Sequence, residues 1–189
     1  MKNPYSVGKS IYLRAPERDD LDGKWYEWLS DPEISQFLAD RTWPNNKKKQ
    51  EDFFESLNNK PFSERLVLAI CLKEDNMHIG VCNLSSINYV HRYADIAFII
   101  GEKKYRNGQI AIETLSLLIE IAFKRLNLLN LRSVHMSSNP HTPLLEKLFG
   151  FKEIGKYEKL YNYKGEYGDC IHSQLSRKDW ENRNTNNNK

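Results

Sequence analysis

The sequence predicts a mixed α/β layered fold of the α+β kind, a mostly antiparallel sheet with helices against it. Three observations carry this. Residues 65–73 and 78–88 are β-rich apolar runs separated by Glu74-Asp75-Asn76, the pattern of an antiparallel hairpin. The apolar run 93–100 passes through a charged turn into a helix over 108–126 that is apolar almost all round, and then into a strand at 131–138. That unit alone reads as a parallel crossover, and three helices precede the hairpin.

Taken in order, IYLRA within 10–15 alternates as a short strand, and Pro16 with Asp19-Asp20 marks a helix start. Trp25, Trp28 and Leu29 recur at helical spacing up to Ser30. A second helix restarts at SDPEISQFL, with Asp31 as cap and Pro32 at its first position. Residues 40–46 read as loop, and 47–57 as a third helix with Phe53, Phe54 and Leu57 on one side. Thr142-Pro143 opens a short helix that Gly150 ends. Residues 151–175 supply two strands around Lys164-Gly165. One domain over 1–180 is expected, followed by a polar tail, 181–189, expected to be disordered.

The bulk chemistry narrows the function. A net charge of +3 is far below the density of a dedicated nucleic-acid binder, so no nucleic-acid partner is expected. The run Lys47-Lys48-Lys49 is short and reads as a solvated helix start. No segment has the roughly 18 apolar residues of a membrane span. The N-terminal stretch MKNPYSVGKS lacks an apolar leader core. Cys71, Cys82 and Cys170 show no metal-ligand spacing, so buried thiols, no metal and a cytoplasmic location are expected.

The turn Tyr105-Arg106-Asn107-Gly108-Gln109 stands between a strand and a buried helix. Helix N-termini present unpaired N–H groups and partial positive charge, which suits a phosphate. Arg106 adds a fork of donors and Gly108 allows close backbone approach. The pattern is neither GxxxxGK[ST] nor GxGxxG. On its own it also describes an ordinary capping turn.

The pieces FIIGEKKYRNGQIAIETL, NPHTPLLEKLFGFKEIG and YNYKGEYGDCIHSQL, with the order of elements, resemble the GNAT superfamily of acyl-CoA N-acyltransferases over residues 10–180. The branches most similar are those acting on ribosomal-protein N-termini, spermidine and nucleotide-linked amino sugars. The resemblance implies a sheet with a splayed parallel pair, and acetyl-CoA as co-substrate. The family's Q/R-x-x-G-x-G/A turn, whose N–H groups hold the coenzyme pyrophosphate, maps onto Arg106, Asn107, Gly108, Gln109, Ile110 and Ala111. Arg106 and Ala111 match. The fourth position, usually glycine, is Gln109, and a glycine stands one place earlier at Gly108. Asn139 takes the position of an asparagine that touches the pantetheine arm. Many relatives protonate the leaving thiolate with a tyrosine at the position that is Glu146 here.

Acetyl transfer to an amine needs a base for the amine, a donor for the oxyanion and a route for the thiolate to leave. Asp95, on the strand beside the expected thioester, and His91, in the loop before it, are the candidate bases. Tyr161, Tyr163 and His141 are the candidate acids. The resemblance implies an oxyanion donor near Ile99 or Ile100, where a strand bulge is expected. Glu33 and Trp43 are candidate acceptor contacts, Trp43 as an aromatic wall.

The first functional reading is an N-acetyltransferase acting on a small-molecule or nucleotide-linked amino-sugar amine. The second changes the acceptor to a protein N-terminus or a polyamine, and the third is a coenzyme-binding sensor without catalysis. The sequence leaves the assembly open; dimers are common in such families.

Overall fold

The computed structural model describes residues 1–38, 43–58, 64–163 and 165–187. Its apolar runs form eight strands: β1 Ser6–Val7, β2 Ile11–Arg14, β3 Leu66–Leu72, β4 His78–Asn88, β5 Tyr93–Ile100, β6 Asn130–Met136, β7 Lys152–Tyr163 and β8 Glu166–Ser176. All belong to one sheet in the order β1-β2-β3-β4-β5-β6-β8-β7. Neighbours are antiparallel throughout, except that β5 and β6 run parallel. The predicted fold class is therefore the observed one. The two-residue β1 is too short for alternation to reveal.

The helices are α1 Trp25–Ser30, α2 Pro32–Ser35, α3 Lys47–Asn58, α4 Gly108–Glu120, α5 Thr142–Phe149 and α6 Arg177–Asn187. Asp31 caps α2 by accepting the Glu33 N–H at 2.8 Å, with Pro32 as the first helical residue. Gly150 ends α5 at φ 85°, a conformation glycine adopts without a Cβ penalty. The long helix departs from expectation at its end. It is α-helical only to Glu120 and closes in a π turn over Ile121–Arg125, where Leu126 N–H bonds Ile121 O at 3.0 Å. Leu128 N–H then reaches back to Ala122 O at 3.0 Å, which delivers the fully buried Leu128 to the core just before β6.

The expectation of disorder from 181 onward needs correction, because the chain is helical through Asn187. Tertiary contacts explain this: Trp180 packs on Phe123 at 5.3 Å between ring centroids, and Arg183 Nη2 donates to Leu148 O at 2.9 Å. Composition reports the polarity of that stretch but not these anchors.

Strand alternation divides the core into two. Ala94, Ile96 and Ile100 of β5 pack with Leu115, Leu118 and Ile119 of α4, and α5 and α6 join that face through Leu145 and Trp180. On the opposite face, Ile99 and Val81 meet Trp25, Trp28 and Phe54 from α1 and α3. A buried ion cluster fixes that second layer to the sheet. Arg14 of β2 forks onto Asp20 through two bonds of 2.7 Å, and His78 Nδ1 lies 3.3 Å from the same carboxylate. Burial alone would raise the Asp20 pKa, but hydrogen bonds from Arg14 and His78 outweigh it and hold the carboxyl well below the usual range.

All three cysteines are buried free thiols, as expected. Burial pushes the Cys71 pKa up to about 11 and raises that of Cys82 further, so neither is a reactive thiolate near neutral pH. No group of side chains able to hold a metal ion occurs among the described residues. No helix among them is long and apolar enough to cross a membrane.

Candidate active site

The site is built on an incomplete strand pair. β5 and β6 pair only at Tyr93–Asn130, Ala94–Leu131 and Asp95–Arg132. Beyond that rung both strands continue, to Ile100 and Met136, without pairing to each other, and a slot opens between them. On its other side β5 stays in register with β4 from Gly80–Ile100 to Ser85–Asp95. Gly101 N–H bonds Ile79 O on β4 at 2.8 Å. Strand backbone alternates, so Ile99 and Ala97 also direct their N–H groups to β4, while those of Ile100, Phe98 and Ile96 face the slot.

This corrects two expectations about the oxyanion donor. The bulge expected near Ile99 is absent, and the irregularity in the β4–β5 pair lies at the other end, between Ser85 and Asn88. Of Ile99 and Ile100, only Ile100 turns its N–H toward the slot. Parity along a strand decides this, and a motif match one residue out of phase cannot.

At the slot's mouth stands the N-terminus of α4. Asn107 is its cap and accepts the Ile110 N–H at 3.0 Å, while Ala111 N–H bonds Asn107 O at 3.3 Å. The N–H groups of Gly108 and Gln109 have no partner among the described residues, as the first turn of a helix dictates. A Cβ built on Gly108 would meet nothing within 4 Å, so the helix start is open at that position. Arg106 donates from Nε to Ile100 O at 3.0 Å and ties the turn to the end of β5. Its Nη1 lies 3.7 Å from Glu33. An Arg106→Ala variant is expected to loosen this strap and weaken coenzyme A binding about 10-fold, or ~1.4 kcal/mol, as measured by titration calorimetry; unchanged affinity would place the diphosphate elsewhere.

Behind the slot lies a cavity of about 890 Å³. Its floor is the β4–β5 face that carries Asn83, Ser85, Asp95, Ala97 and Ile99, and aromatic side chains of the helical layer wall it. Asp95 sits at the last closed rung, where both its oxygens accept from Arg132, at 2.8 and 3.0 Å. The Arg132 guanidinium lies over the Tyr93 ring at 4.2 Å. Trp43, 75% exposed, lines the cavity mouth. Tyr161 lines the cavity and hydrogen-bonds Cys170, whose thiol pKa burial raises. The Tyr163 side chain falls outside the described residues.

Three predicted residues are placed elsewhere. His91 is in the exposed turn before β5, where its N–H bonds Asn88 Oδ1 at 2.7 Å, and it does not line the cavity. Glu33 pairs with Lys103 and faces Arg106 across the surface, again outside the cavity lining. Asn139 is committed to the start of α5: its Oδ1 accepts from His141 N at 2.9 Å and Thr142 N at 3.3 Å, and its Nδ2 donates to Thr142 Oγ1 at 3.0 Å. A loop residue with a turn-forming side chain and one with a ligand-binding side chain look the same in sequence.

Sequence reasoning missed two residues. Gln50 of α3 is 2% exposed and lines the cavity, and its Nε2 has no partner among the described residues while its Oε1 accepts from Asn45 at 3.1 Å. His135 of β6 borders the slot, with Nδ1 3.1 Å from Glu146. A polar residue in an apolar helix face or strand was the available signal for both.

Three comparisons bear on this geometry. Residues 10–151 match the family described as the acetyltransferase (GNAT) domain. The spermidine N-acetyltransferase of Vibrio cholerae, solved with CoA and spermine, superposes with a TM-score of 0.82 at 20% identity, covering 91% of this chain and 98% of that one. An acetyltransferase of the GNAT family from Bacillus anthracis gives 0.75 at 15% identity, over 92% and 98% of the two chains. No curated protein matches by sequence. The chain belongs to the GNAT acetyltransferases. It is an acyl-CoA-dependent N-acyltransferase.

Proposed function

We propose that the protein transfers an acetyl group from acetyl-CoA to the primary amine of a small molecule that also carries an anionic group, a nucleotide-linked amino sugar being the leading class. The observation that carries this reading is the open slot between β5 and β6, which joins the bare first turn of α4 to a basic, aromatic cavity. The residues at the mouth fit a diphosphate: Gly108 and Gln109 offer N–H groups, and the helix start is open at Gly108. When bound, acetyl-CoA supplies the activated acyl group. The chain's own part is to hold the acyl oxygen with a slot-facing N–H from β5, to exclude bulk water, and to orient the amine over Ala97. Asp95, fixed by Arg132, is positioned to receive the amine's proton, since each carboxylate oxygen keeps a lone pair beyond its Arg132 bond.

The cavity's charge supports an anionic acceptor. Its described lining holds three cationic side chains, Lys49, Arg65 and Arg132, and one carboxylate, Asp95. Gln50 adds a buried amide donor that lacks an acceptor among the described residues, a group that costs roughly 1–3 kcal/mol when left unpaired. Such a lining repels a polyamine, whose recognition calls for carboxylates. The polyamine reading keeps one support, the fold likeness to a spermidine N-acetyltransferase.

Acetyl-CoA at 100 times its Kd is expected to stabilise the protein by about 2.7 kcal/mol. In the presence of acetyl-CoA, thiol release should be faster with a nucleotide-linked amino sugar than with spermidine or an N-terminal peptide. Gln50→Leu should raise KM for the preferred acceptor about 10-fold, or ~1.4 kcal/mol, and leave the coenzyme's affinity unchanged. Preference for spermidine would overturn the acceptor class; absence of any stabilisation by acetyl-CoA would overturn the whole reading.

A further inference from the structure

The tyrosine position of related enzymes holds Glu146, and the structure gives that carboxylate a definite task. β6 and β8 pair with Ser133 opposite Ser173 and His135 opposite Ile171. By alternation Ser133, His135 and Ser173 share the face that α5 covers. Glu146 comes down from α5 onto this polar patch. It bonds His135, Ser133 and Ser173, and all four residues are buried. A carboxylate buried at 7% exposure and so fully partnered is a built feature, since an unpaired one would be costly.

His135 connects this cluster to the slot. Its Nδ1 is committed to Glu146 at 3.1 Å. Its Nε2 has no protein partner among the described residues, and the residue lines the cavity behind the slot. Continuing the Asp95–Arg132 register by three residues sets His135 opposite Phe98, one of the residues whose N–H faces the slot. Three strand residues span roughly 10 Å. His135 thus stands about 10 Å outward from the closed rung, between the apex, where Asp95 is, and the mouth, where α4 begins.

We infer that His135 is the acid that protonates the departing sulfur, and that Glu146 is the residue that positions it. This rests on the acetyltransferase reading above. The amine nitrogen forms its bond to the acyl carbon, and the carbon–sulfur bond breaks. The electron pair left on sulfur takes the Nε2 proton, giving the free thiol. The proton shed by the amine passes through Asp95 and water to return Nε2 to its protonated form, so the transfer consumes no net proton. The Glu146 carboxylate accepts from Nδ1–H throughout, which sets the ring's orientation and leaves Nε2 as the free position. Burial alone would raise the Glu146 pKa, but the bonds from His135, Ser133 and Ser173 lower it, in keeping with a carboxylate that stays ionised.

The test compares acetyl-CoA with acetyl-seleno-CoA, whose selenolate leaves without a proton. His135→Asn is expected to lower kcat with acetyl-CoA on the order of 10²-fold, to leave coenzyme A affinity within a factor of about 2, and to lose most of its deficit with the seleno ester. Glu146→Gln keeps an acceptor for Nδ1–H but removes the charge. It should lower kcat with acetyl-CoA, with the deficit again relieved by the seleno ester, and imidazole ¹⁵N NMR of the unliganded protein should show the His135 Nδ1 resonance moving as its charged hydrogen-bond acceptor is lost. Equal deficits with the sulfur and selenium donors, or an unaltered kcat, would overturn the assignment. So would a His135 Nδ1 resonance that Glu146→Gln leaves in place, a readout that needs no ligand and holds if the His135 variant fails to fold. Loss of coenzyme binding by the unaltered protein would instead strike the acetyltransferase reading.

Discussion

Asp20→Ala is expected to cost about 3–5 kcal/mol of folding stability, a large share of what a domain of this size possesses. The Arg14 and Asp20 side chains are only 6% and 5% exposed. Removing the carboxylate leaves a buried guanidinium without its hydrogen-bonded counter-charge, and its Nε already lacks a partner among the described residues. His78 loses the same carboxylate, and with it part of what holds the edges of Trp25 and Trp28 against its ring. Urea denaturation followed by tryptophan fluorescence would measure the loss, and a change under 1 kcal/mol would show that the cluster contributes little. The pH dependence follows from the same carboxylate. Its folded-state pKa lies below the unfolded value of about 3.9. The stability it contributes is therefore complete above about pH 5 and is lost as pH falls below about 4 toward the folded value. Asp20→Asn should flatten that acid limb.

Ala97→Trp should abolish most acetyl transfer, lowering kcat/KM by at least about 100-fold, equivalent to ~2.7 kcal/mol, while coenzyme A still binds. Ala97 stands on the cavity floor between Asp95 and Ile99 and is exposed to the cavity. An indole there occupies the space where an acceptor would stand over the β5 backbone. The N–H of Ala97 faces β4, so the slot-facing groups of Ile96, Phe98 and Ile100 and the first turn of α4 keep their positions. Calorimetry with coenzyme A and a thiol-release assay together separate the two halves of the site. Parallel loss of both would mean that the acyl donor, not the acceptor, lies over Ala97.

Much of the fold was legible because each element carries its own local chemistry. Asp31-Pro32 capped its helix, Gly150 ended another, and Glu74-Asp75-Asn76 turned the hairpin. Failures came where a distant contact overrode local character. The polar stretch after Arg177 is helical because Trp180 has Phe123 to rest on and Arg183 has the end of α5. The turn of Arg106, Asn107 and Gly108 was legible as a strand-to-helix junction, and the structure starts α4 there with Asn107 as its cap. That Asn139, His91 and Glu33 lie outside the cavity lining was not legible, because each has a side chain equally suited to a turn, a loop or a surface ion pair. Gln50, His135 and the depth of Glu146 escaped notice since burial is a property of the neighbours.

From its sequence alone this chain determined its strands, its helices, the single parallel crossover and the anion-ready turn at the start of α4, because alternation, capping and backbone freedom act over a few residues. Only the tertiary structure decided that β5 and β6 part after Asp95, which slot-facing N–H groups this leaves unpaired, and that His135 meets Glu146 across an α5–β6 contact. Those depend on the register between segments far apart in the chain, and a shift of one residue would turn every such group to the opposite side.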